Sequence, residues 1–151
     1  MKRITGLLIA VLILLAGCSA ETARWYYGGE QGDGIGIALT DTDDGATFYA
    51  NYDTVTGDIL SVNLLYPASC GGYTSTRAES NGTVLSCEVT HGEREEGGAL
   101  FIAFDKAAIA ACGDRPVTLT VSFENAPETV VFRFSDIAAA VQNRTPKPEE
   151  K

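Results

Sequence analysis

The chain has 151 residues, 45% of them hydrophobic, and sets 20 acidic side chains against 11 lysines and arginines for a net charge of −9. This length suits one domain with a modest core and leaves no room for a second. The negative balance disfavours nucleic acid and anionic partners; it favours a basic protein, a cationic peptide or a metal ion, or serves solubility alone.

Lys2 and Arg3 precede an apolar run from Ile4 to Leu15, broken by Thr5 and Gly6 and closed by Leu15-Ala16-Gly17-Cys18. A charged start, a dozen or so apolar residues and a small-residue site make a secretory signal, and the run falls short of the roughly 20 residues a membrane span needs. The stretch resembles the precursor end of a bacterial lipoprotein. The resemblance implies that residues 1–17 are cleaved, that Cys18 is acylated and that residues 18–24 tether a single β domain over 25–143, with 144–151 a disordered tail. Ser19 after the cysteine, where Asp would favour inner-membrane retention, implies the outer membrane in an enteric-type Gram-negative cell. Cleavage removes two cations and no acid, so the mature side-chain balance becomes 9 − 20 = −11.

With Cys18 committed to lipid, Cys70, Cys87 and Cys112 remain. In an oxidising compartment three cysteines imply one disulfide and one leftover thiol. Cys70–Cys112 is the favoured pairing, because both precede a glycine at an element end, and the two pairings through Cys87 stay open. The three lack C-x-x-C spacing and His91 is the single histidine, so no metal site or other cofactor is expected.

Trp25-Tyr26-Tyr27 reads as the edge of the core in preference to a ligand platform. Gln31 to Gly34 is a loop, and Ile35, Ile37 and Leu39 alternate as a strand. Asp41-Thr42-Asp43-Asp44-Gly45 fits a turn better than a calcium loop, since its glycine falls one place early and no glutamate follows at the twelfth position. Strands follow over Thr47–Asp53 and then with Leu60, Val62, Leu64 and Tyr66 on one face. Pro67 to Gly82 reads as the longest irregular stretch, and its length makes it the first binding candidate through Tyr73 and Arg77. Thr83–Thr90 and Ala99–Phe104 are strands around a charged loop from His91 to Gly98. Asp105 caps a short helix, Pro116–Glu124 and Glu128–Phe134 are strands, and Asp136 caps a last short helix.

About seven short strands separated by turns make an all-β fold, a small antiparallel sandwich or barrel with one or two short helices. No catalytic residues are expected: there is no Gly-x-Ser-x-Gly elbow, and His91 stands alone. The expected function is that of a membrane-anchored envelope lipoprotein, non-catalytic, whose acidic domain binds a protein or joins an assembly. Asp41, Asp43 and Asp44 or Glu93, Glu95 and Glu96 are the contact edges expected for a basic partner. The alternative is an inhibitor or sequestering module for a basic protein such as a lysozyme, by analogy with small lipid-anchored β inhibitors whose signature motifs this chain lacks.

Overall fold

The computed structural model describes residues 22–40 and 46–148, so the lipidation candidate Cys18 and the binding candidates Asp41, Asp43 and Asp44 lie outside the described residues. Two antiparallel sheets pack face to face. The larger has six strands in the order β1-β2-β3-β4-β8-β7: β1 (Trp25–Gln31), β2 (Ile35–Thr40), β3 (Thr47–Asp53), β4 (Ile59–Tyr66), β7 (Cys87–Arg94) and β8 (Gly97–Phe104). The smaller, in the order β10-β9-β5-β6, is built from β5 (Tyr73–Ser80), β6 (Thr83–Val84), β9 (Val117–Phe123) and β10 (Glu128–Phe132). Both sheets keep free edges, so the fold is not a barrel, and its ten described strands exceed the seven or so read from the sequence.

The core follows from strict alternation. Val117, Leu119, Val121 and Phe123 of β9 turn inward with Phe132 of β10, against Phe48, Ala50, Val62, Leu64, Leu100 and Ile102 of the large sheet. Two helices complete the cover: α1 (Lys106–Cys112) and α2 (Phe134–Gln142). α2 lies over the inner side of β1, β2 and β3, where Gly36 leaves room for Val141: a Cβ there would stand 2.5 Å from Val141 Cγ1. Trp25, Phe132, Phe134 and Phe104 form a chain of edge-to-face rings linking β1 to the far end of β8.

Several local expectations change. Pro67–Gly82 is largely strand, because β5 pairs with β9 from Tyr73 to Glu79; its Ser, Thr and Arg residues occupy a half-exposed strand and carry no bulky apolar alternation to announce it. The charged loop shrinks to the turn at Glu95-Glu96, since β7 runs on through His91, paired with Leu100, to Arg94. Leu60 leaves the inward face because Asn51 pairs with Ser61 and Tyr52 with Ile59, which makes Leu60 the extra residue of a bulge. α2 begins two residues before Asp136, with Arg133 at its cap.

The expected disulfide is absent: Cys70, Cys87 and Cys112 are free thiols. Cys70 follows β4 beside the start of β8, whereas Cys112 ends the helix that follows β8, and Cys87 pairs with Phe104 at that same far end. The length of β8 places Cys70 roughly 20 Å from the other two, and a disulfide needs Cα atoms within about 7 Å. Both Cys70 and Cys112 stand at element ends, but at opposite ends of the sheet.

The chain termini tie the other side together. Ala23 N–H donates to Val131 O at 2.7 Å, bridging the approach to β1 with β10, and Tyr27 N–H donates to Thr145 O at 2.8 Å, laying the chain after α2 along the β1 edge. β7 and most of β5 are left as open edges on the opposite side.

Candidate functional site

At that open side the two sheets meet through aromatic rings. Tyr66 on β4 pairs with Gly98 on β8, and His91 lies one strand further out on β7. The ring of Tyr66 reaches across β8 because Gly98 has no side chain: a Cβ there would fall 2.2 Å from Tyr66 Oη. Tyr66 Oη and His91 Nε2 then share a hydrogen bond of 2.5 Å, with the two rings nearly parallel. From the facing sheet, Tyr73 on β5 stacks on His91 with centroids 6.1 Å apart and shares a hydrogen bond with Thr76 Oγ1. Phe123 on β9 backs both tyrosines, 4.5 Å from Tyr66 and 6.3 Å from Tyr73. Tyr66 and Phe123 are buried, Tyr73 is half-buried and His91 is exposed, so the cluster offers aromatic surface from a fixed base.

Acidic groups surround this surface. Burial pushes the Tyr66 phenol above its ordinary range, helped by Cys70 and by the negative charge of Glu93. Cys70 Sγ lies 3.9 Å from Glu128 Oε1, and burial together with that carboxylate pushes its thiol up as well. Glu124 folds over Gly71-Gly72; the Gly72 carbonyl accepts the Glu124 N–H at 2.9 Å, while Asn125 Nδ2 donates to Ser69 O at 2.7 Å. The short 3-10 turn Ala68–Cys70 is thereby laced to the β9–β10 turn, which carries Glu124 and leads into Glu128 at the start of β10.

The residues singled out in the sequence separate here. Tyr73 joins the cluster, whereas Arg77, on the opposite face of β5, pairs with Glu79 at 3.2 Å. Glu93 stands by Tyr66, and Glu95 and Glu96 form the adjacent β7–β8 turn. Tyr66, Phe123 and Gly98 escape a reading of the sequence as a site because they come from three strands far apart in the chain. The available clue is the glycine pair Gly97-Gly98 ahead of an apolar strand. Among the described residues no three His, Cys, Asp or Glu side chains converge to hold a metal ion.

The surface can take a cation: tyrosine faces attract one electrostatically within about 6 Å, and the surrounding carboxylates add charge. Neither Tyr66 nor Cys70 is activated as a nucleophile, since both are shifted toward the protonated form. No family model, curated protein or solved structure matches the chain, so the reading of this surface rests on its own geometry.

Proposed function

We propose that this protein is a lipid-anchored bacterial envelope protein, held through Cys18, whose β domain is a non-catalytic module that binds a basic segment of a protein partner. The observation that supports the reading is the Tyr66–His91–Tyr73 surface with Glu93, Glu124 and Glu128 around it, which suits a lysine or arginine side chain laid on aromatic faces. Its position fits an anchor: β1 and β7 are opposite edges of a six-stranded sheet, so the surface stands about 24 Å across the sheet from where the tether enters. Ser19 favours the outer membrane for the anchor in a Gram-negative host.

Crosslinking and pull-down from native membranes tests the reading. The expected partner carries a basic patch and associates more slowly as salt rises, because steering acts before contact and is screened beyond about 8 Å at physiological salt. Neutralising Glu93, Glu95 and Glu96 to Gln, or replacing Tyr73 by Ala, is expected to weaken it. A partner whose association rate ignores salt and tolerates both changes overturns the reading. A resident envelope protein would mark an assembly role, and a soluble enzyme such as a lysozyme would mark an inhibitor.

A further inference from the structure

The side of the domain opposite the aromatic surface carries a groove of about 710 Å³ between the approach to β1, the face of α2 that bears Asp136, Ala139 and Ala140, and the chain after α2. Arg24, Trp25, Tyr26, Arg133, Asp136 and Thr145 are among the residues that line it. In a chain of net charge −9 the groove gathers two arginines against one acid, and Arg144 and Lys147 stand near Thr145 in the chain. Arg24 is exposed and makes no ion pair among the described residues. Arg133 is held in place: Nε donates to Asp114 O at 3.1 Å and Nη1 to Thr22 Oγ1 at 2.9 Å, with Asp136 Oδ2 further off at 3.9 Å. Trp25 is buried, and its indole N–H has no hydrogen-bond acceptor among the described residues. A buried donor without an acceptor is costly and uncommon in a folded core.

We propose that this groove binds the phosphate headgroup of an anionic lipid in the membrane that holds the protein, with Arg24 and Arg133 on the phosphate and Trp25 and Tyr26 at the headgroup level. The inference rests on the lipid-anchor reading, because the tether names the source. Thr22 follows Cys18 by four residues, a reach of at most about 14 Å of extended chain, so an acylated Cys18 keeps the groove beside the headgroups. The headgroup contact would turn the groove side toward the membrane and the β7 edge, with its acidic residues, away from it.

Trp25 is the single tryptophan, so its emission reads the groove directly. The full chain is expressed in a bacterium and purified in neutral detergent, and the mass of its N-terminal peptide reports separately whether Cys18 is acylated. It is then titrated with water-soluble short-chain phosphatidylglycerol, with phosphatidylcholine of the same chain length, and with inorganic phosphate. The expected result is a saturable change in Trp25 emission with phosphatidylglycerol, at least about ten-fold stronger in apparent affinity than with either comparison ligand. Arg24→Gln, which breaks no ion pair among the described residues, is expected to weaken it about five-fold, the worth of one cation near an anionic surface, and Arg24→Gln with Arg133→Gln further. Equal responses to the two lipids, an equal response to inorganic phosphate, or an Arg24→Gln protein indistinguishable from the parent overturns the proposal. An unacylated Cys18 with the saturable response intact instead removes the anchor reading and leaves the groove standing.

Discussion

Tyr66 on β4 and His91 on β7 share a 2.5 Å hydrogen bond across an intervening strand, and Gly98 on that strand is what lets the tyrosine ring through. The relationship couples the centre of the large sheet to its open edge. It also fixes the surface on which Tyr73 stacks from the other sheet.

Gly98→Ala is therefore expected to displace the Tyr66 ring and break its bond to His91, with a loss of about 1–3 kcal/mol from overpacking. Denaturant unfolding measures the loss, and the His91 imidazole proton signals report the broken bond. A Gly98→Ala protein of parental stability with an unchanged His91 spectrum would contradict the packing described.

Asn63 faces away from the core between Tyr49 and Phe101, yet it is fully buried, and neither atom of its amide has a hydrogen-bond partner among the described residues. Such an amide costs roughly 1–3 kcal/mol, whereas an apolar side chain of the same size carries no such penalty. Asn63→Leu is expected to stabilise the domain by about 1–2 kcal/mol, read as a higher urea midpoint at unchanged slope. A lower midpoint would show that the amide has a partner that the leucine removes.

Alkaline pH is expected to destabilise the fold. Burial raises Tyr66 and Tyr49, and burial with nearby carboxylates raises the Cys70 and Cys87 thiols. A raised acid holds its proton more tightly folded than unfolded, so its contribution is complete below the unfolded value and disappears as pH rises through the folded one. The loss begins near about pH 9 for the thiols and about pH 10 for the phenols. Stability that stays level from about pH 8 to 11 would remove these shifts. Asp53 runs the other way: backbone N–H groups of Thr56 and Val55 lower its carboxyl, so its contribution is present at neutral pH and lost below the ordinary aspartate range.

The three cysteines are expected to react as free thiols in unreduced protein. Cys70 and Cys87, half-buried, should label slowly in the native state, and Cys112, buried, only on unfolding. Peptide mapping without reduction checks this: a bridge to Cys70 would contradict its separation from the other two, and a Cys87–Cys112 bridge would contradict their free thiols.

Much of the fold is legible in local pattern. Period-two alternation over Thr47–Asp53, Pro116–Glu124 and Ala99–Phe104 marks strands whose inward residues form the observed core, and Thr54 to Asp58, centred on Gly57, is legible as the hairpin turn that joins β3 to β4. The lipidation proposed at Cys18 rests on a linear signal of the same local kind. β5 escapes such a reading because its residues are polar or small, and a strand held by pairing with β9 needs no apolar period of its own. Tyr73 and Arg77 part for a related reason: four residues apart, they would share a face by simple alternation, and a register shift between Tyr73 and Ser75 sets Tyr73 opposite the inward Phe123 and Arg77 opposite Thr120. Sequence alone determined the acidity, the apolar alternation and the cysteine count. Tertiary structure decided that ten described strands form two open sheets, that Cys70 and Cys112 lie at opposite ends, and that Tyr66, His91 and Tyr73 converge. Local chemistry is written residue by residue, whereas convergence depends on which strands pair, a choice made by the burial of the whole core at once.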